Sequence, residues 1–130
     1  MSKSRTKSDP SLDPSGELPL RPAAYHILLA LADRERHGYE IMKEAERLSG
    51  GRVRLGPGTL YRSIQELLQA GWLEESDERP DPELDDERRR YYRMSSLGRR
   101  LARAETQRLA DLVRVAIAKR LVGAKLLEAR

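Results

Sequence analysis

The sequence predicts a mainly helical protein: three short helices, a two-stranded hairpin and one long closing helix. Three observations carry this expectation. Apolar residues recur at helical spacing in three successive blocks, each followed by glycine. The period then changes around Tyr91-Tyr92, a β-favouring pair. From Leu97 a single apolar stripe runs almost to the last residues.

Residues 1–19 are rich in Ser, Pro, Asp and Lys and offer little to bury, so they are expected to form a disordered tail. Lys3, Arg5 and Lys7 could serve there as a flexible phosphate-touching arm, or simply be solvated. Residues 20–94 carry the three helices and the hairpin, and residues 95–130 the closing helix.

The first helix starts at Pro22, which suits an opening helical position, and Ala24, Ile27, Leu28 and Leu31 mark its buried face. Gly38 is its expected stop. The second helix lies in YEIMKEAERL, with Tyr39 or Ile41, then Met42, Ala45 and Leu48 as its stripe, and ends at Ser49-Gly50-Gly51. In the third, Leu60, Ile64, Leu67 and Leu68 face inward while Arg62, Gln65 and Gln69 turn outward. Pro57 and Gly58 fix how the chain meets this helix, and Gly71 ends it. WLEES and RRRYYRM follow as two strands, joined by a loop with two prolines and a heavy acidic bias. This layout is that of a winged helix-turn-helix.

Ser95 suits the N-cap of the last helix. Its face comprises Leu97, Leu101 and Ala104, then Leu109, Leu112, Val113, Ala116, Ile117, Leu121 and Ala124, with Gly123 bending or fraying the last turns. A helix of about 30 residues spans about 45 Å, longer than the small domain before it. Such a stripe needs a partner, and the simplest is the same helix of a second copy. Leu101, Leu109, Leu112, Val113, Ala116, Ile117 and Leu121 are the expected dimerisation residues.

Composition narrows the function classes. The 130 residues suit one domain, and 35% charged residues with a net charge of +4 and a pI near 9.6 permit a polyanion partner without demanding one. The absence of cysteine excludes disulfides and thiolate chemistry. No apolar run approaches the roughly 18 residues of a membrane span, and the first residues lack a secretory signal, so a cytoplasmic, non-membrane protein is expected. No catalytic constellation is legible. The two histidines, His26 and His37, are separated by helix and turn, and no nucleophile elbow or phosphate loop occurs. No enzyme activity, cofactor or metal is expected.

Several motifs, in order, resemble the PadR family of winged helix-turn-helix transcriptional regulators. They are His37-Gly-Tyr-Glu-Ile41, Gly58-Thr-Leu-Tyr-Arg62, the stretch Leu68 to Leu73 around Gly71-Trp72, and Tyr91 to Gly98. Each is weak alone; their order and spacing over roughly residues 22–122 give the likeness its specificity. Ser95 stands where the family usually has Thr, which keeps the capping hydroxyl. The wing loop is longer and more acidic than one entering a minor groove should be.

The resemblance implies that the third helix enters the major groove of double-stranded DNA. Arg62 and Gln65 can pair with guanine or adenine edges, and Thr59 can meet a thymine methyl or a phosphate. Gly58 has no side chain to hold a phosphate away from the N–H groups of the first turn. Tyr61 is implied to reach a phosphate, although a half-buried core-edge tyrosine is the bland alternative. Arg52 and Arg54 can neutralise phosphates and fix orientation. Arg88, Arg89 and Arg90 at the wing base could do the same, or be neutralised by Asp85 to Glu87. The resulting expectation is a homodimeric repressor on a palindromic operator. The resemblance also implies a small-molecule effector, such as a phenolic acid or cationic drug, at or near the dimer interface. The alternative is a winged-helix protein-interaction module working through its long helix and acidic loop.

Overall fold

The computed structural model describes residues 14–76 and 90–128. Among the described residues four helices carry the fold: α1 (Pro22–Ala30), α2 (Gly38–Leu48), α3 (Pro57–Gln69) and α4 (Ser96–Ala118). Three short strands, β1 (Arg36–His37), β2 (Leu73–Ser76) and β3 (Tyr91–Met94), form an antiparallel sheet in the order β1-β3-β2. This is the winged helix-turn-helix layout expected from the sequence, with one strand more.

The apolar stripes of α1 to α3 meet in one core around Ile27, Leu28, Ile41, Leu60, Ile64 and Leu67, all fully buried. Leu31 and Ala45 are buried as expected, while Met42 and Leu68 pack only partly and Leu48 is exposed. Tyr39 is 56% exposed. It lies two residues before Ile41, about 200° around the helix, and so faces away from the stripe.

Gly38 does not stop α1. That helix ends at Ala30, and Gly38 instead opens α2. The physical reason is a capping box built on histidine: His37 Nδ1 accepts from the Glu40 backbone N–H at 3.4 Å, and Glu40 Oε1 accepts from the His37 N–H at 3.2 Å. Two orphan donors are thereby satisfied at a point where the sequence suggests only a turn. Arg36, buried just before, donates from Nε to the Ala30 carbonyl at 2.6 Å and so ties the end of α1 to the start of α2. The two-residue strand β1 has no readable period; it forms because β3 offers it a free edge, pairing Arg36 with Tyr92 and His37 with Tyr91.

Three helices close by the same motif. After α3, Gly71 takes φ +82°, with bonds from Gly71 N–H to the Leu68 carbonyl and Trp72 N–H to the Leu67 carbonyl. Gly50 does this after α2, with φ +62°. After α4 the left-handed residue is Arg120, at φ +65°. Its N–H bonds Ile117, and that of Leu121 bonds Ala116. The helix therefore ends at Ala118, before Gly123, and its 23 residues span about 34 Å instead of the expected 45. Leu121 and Ala124 lie beyond it, Ala124 in a short 3-10 turn ending at Leu127.

Ser95 caps α4 as expected, its Oγ accepting from Gly98 N–H at 3.0 Å and donating to the Gly71 carbonyl at 2.6 Å. Beneath it, a Cβ on Gly98 would collide with the Trp72 carbonyl oxygen, which already accepts the Ser95 N–H. Gly98→Ala is therefore expected to lower stability by about 2–3 kcal/mol, since backbone gives way less readily than a side chain. A urea unfolding midpoint unchanged from wild type would show that the joint relaxes without cost.

Of the segment expected as a tail, residues 1–13 lie outside the described residues. Pro14–Glu17 forms a 3-10 turn beside α4, and Leu18 and Leu20 join the core. The buried Glu105 carboxylate on α4 receives the Leu20 backbone N–H and the Arg108 guanidinium, 2.7 Å away, which holds it below the usual carboxylate range against the opposing effect of burial.

Candidate nucleic-acid interface

The α3 helix divides into two faces because its apolar residues recur every three to four positions. Leu60, Ser63, Ile64 and Leu67 face the core, leaving Thr59, Arg62, Gln65 and Gln69 on the opposite, exposed side. Thr59, Arg62 and Gln65 have no side-chain partner among the described residues. Among the described residues nothing uses their hydrogen-bonding capacity. Glu66, on the flank, is held by Arg21 at 3.0 Å and is thus turned from this face.

The first turn of α3 has unspent donors as well. Gly56 caps it without a side-chain bond, Pro57 has no N–H, and the first bond into the turn runs from Leu60 N–H to the Gly56 carbonyl at 2.8 Å. The N–H groups of Gly58 and Thr59 remain, at the positive end of the helix dipole. Nothing lies within 4 Å of a Cβ placed on Gly58, so an anion can approach freely.

Arg52 and Arg54 flank this turn and both are exposed. Arg52 has no partner among the described residues. Arg54, 75% exposed, donates to the Gly51 carbonyl at 3.1 Å and stands 3.7 Å from Glu46, a loose tether that a phosphate could replace.

Tyr61 is 48% exposed, and its ring crosses the start of α2: a Cβ on Gly38 would lie 2.5 Å from its hydroxyl oxygen. The glycine in His-Gly-Tyr thus makes room for this ring. Between α2, α3 and β3 opens a cleft of about 590 Å³ lined by His37, Tyr39, Tyr61, Gln65, Arg90 and Tyr92 among others. The sequence offers Tyr39 only as one alternative, with Ile41, for the buried stripe, and so gives no sign of it here. Tyr39 carries Lys43 over its ring at 5.3 Å.

At the wing, Arg88 and Arg89 lie outside the described residues, as does the acidic run Asp85 to Glu87. Arg90 is exposed and is paired with Glu75 across the strands at 2.8 Å, which raises its pKa above the ordinary guanidinium value. Glu74 pairs similarly with Arg93 at 3.0 Å. The cross-strand register, Glu75 opposite Tyr92 and Glu74 opposite Arg93, sets Glu74 against Arg93 of β3 and Glu75 diagonally near Arg90 just before it.

The α4 face is divided. Leu101 is fully buried within the protomer's own core and has no surface to offer a second copy. Leu109, Val113, Ala116 and Ile117 are half-buried, Leu112 is 53% exposed, and Leu121, past the helix end, is 77% exposed. Among the described residues no helix is long and apolar enough to cross a membrane. Nor does any group of three metal-binding side chains occur among them.

Comparison with known proteins accords with this geometry. Residues 27–104 match the transcriptional regulator PadR-like family. A transcriptional regulator from Clostridium thermocellum is similar in fold, with a TM-score of 0.59 at 22% identity over 77% of this chain and 90% of that one. The regulator TA0346 from Thermoplasma acidophilum gives 0.55 at 22% identity over 76% and 89%. RosR of H. salinarum gives 0.52 at 23% identity over 84% of each chain. No curated protein gives a match. At these identities the solved structures speak for the winged-helix fold, while the family match spans well over half the sequence, from α1 into α4: the chain belongs to the PadR-like family of transcriptional regulators.

Proposed function

We propose that the chain is a homodimeric, sequence-specific repressor that binds a two-fold symmetric operator through α3. The observation that carries this reading is the exposed α3 face, where Thr59, Arg62 and Gln65 stand together with unspent hydrogen-bonding capacity. Guanidinium and carboxamide groups on one helix face match the paired donors and acceptors of base edges in the major groove. The N–H groups of Gly58 and Thr59, with Arg52 and Arg54, supply backbone contacts that fix the helix in register.

The half-buried and exposed apolar residues Leu109, Leu112, Val113, Ala116 and Ile117 form the proposed dimer face on α4. A two-fold dimer addresses half-sites about one helical turn apart. A small-molecule effector would release it by altering the distance or angle between the two α3 helices, because binding at both half-sites is lost once the geometry no longer fits. The protein is taken to act in the cytoplasm, where its DNA lies.

The direct test is to incubate the protein with fragmented genomic DNA of its source at near-physiological salt and sequence the retained fragments. A small set sharing an inverted repeat is the expected result; recovery of nothing by folded protein would sink the reading and favour a protein-interaction module. With such an operator, Arg54→Ala is expected to weaken specific and random duplexes by the same few-fold factor and to lower the salt slope by about 0.9, the value of one lost phosphate contact. A loss confined to the operator would instead place Arg54 on a base.

A further inference from the structure

The cleft between α2, α3 and β3 is bounded on three sides by hydrogen-bond donors. The Tyr39 and Tyr61 side chains stand at its rim, Gln65 comes from the exposed face of α3, and Arg90 comes from the wing. Burial, then the nearby Glu75 and Tyr61, push the Tyr92 phenol above its ordinary value. The cleft shares Gln65 with the exposed face of α3, so a duplex docked on that face would carry its backbone toward the opening.

Resting on the DNA-binding reading above, we propose that this cleft seats a backbone phosphodiester of the bound duplex, with Arg90 as its cation, the tyrosine hydroxyls as its donors, and Glu75 as an internal anion that the phosphate must displace. The chemistry is an exchange of anions on one guanidinium. In the free protein the Glu75 carboxylate holds Arg90 at 2.8 Å. Both side chains are largely exposed, at 69% and 44%, so the pair is weak and a phosphate oxygen can replace the carboxylate without a buried charge being stranded. Glu75 thereby lowers affinity for every duplex equally, because a backbone contact carries no sequence information. Tyr39 becomes a DNA-contacting residue, and Glu75 a residue that sets affinity without touching DNA.

The test is a double-mutant cycle on the full chain, measuring affinity for a fluorescently labelled random-sequence duplex across a range of salt concentrations. Glu75→Gln is expected to tighten binding about two- to fivefold at low salt, the scale of an exposed ion pair. It should also steepen the plot of log affinity against log salt by up to about 0.9, one phosphate contact no longer offset by a freed carboxylate. Adding Arg90→Gln to Glu75→Gln should abolish both gains. Tyr39→Phe should weaken binding by about tenfold, the low end of the range for a hydrogen bond to a charged group, without changing the slope. If Glu75→Gln tightens binding equally with and without Arg90, the carboxylate acts only by general repulsion and the proposal is overturned. Equal duplex binding by all variants would overturn it as well, leaving the cleft to a free small molecule. If the wild type binds no duplex at low salt, the DNA-binding reading fails first, and this proposal falls with it.

Discussion

Replacing Arg62 by Ala should cost about 10- to 100-fold in affinity for the operator and flatten the preference at one base position in each half-site. The size follows from the discrimination a paired guanidinium contact supplies on a base edge, multiplied where a dimer makes it twice. Arg62 carries no structural burden that would confuse the result. It is exposed on α3 and has no partner among the described residues. The measurement is binding to the recovered operator and to its single-base variants, with a random duplex as reference. Random-duplex affinity should change far less than operator affinity. If affinity and preference both survive, α3 does not meet the bases through this face, and the proposed docking is wrong.

Placing a carboxylate at Leu112 should produce a monomer and lower operator affinity by two to four orders of magnitude, the range lost when two linked sites become independent. The side chain is 53% exposed on α4, so the protomer's core does not depend on it. In a two-fold interface the substitution appears twice and sets like charges against an apolar face. Sedimentation or light scattering reads the assembly state, and circular dichroism checks that the helices persist. Random-duplex binding per protomer should be nearly retained. A Leu112→Asp protein that remains a dimer would move the interface off this stretch of α4.

These two expectations differ in how far the sequence alone supports them. Arg62 and Gln65 were legible as exposed because Leu60, Ile64 and Leu67 define the opposite face so regularly. The α4 face was legible as apolar but not as divided. Leu101 and Leu112 occupy the same stripe in the sequence, yet Leu101 lies where α4 crosses the domain and is consumed by its core, while Leu112 extends past it.

The sequence by itself determined the order of elements, the faces of α1 and α3, the Ser95 cap and the Gly50 and Gly71 stops. Each of these follows from periodicity or from the conformational range of one residue, both local properties. The tertiary structure alone decided three things: the strand at Arg36–His37, the need for glycine at position 38 and the pairing of Arg90 with Glu75. None has a local signal strong enough to read. A two-residue strand exists only because β3 lies beside it, and a glycine is required at position 38 only because Tyr61, 23 residues later, crosses that point. The partner of Arg90 is likewise chosen by strand register across the wing and not by nearness in the chain. Local chemistry fixes the helices and their faces, while long-range packing adds the strand at Arg36–His37 and fixes which side chains remain exposed.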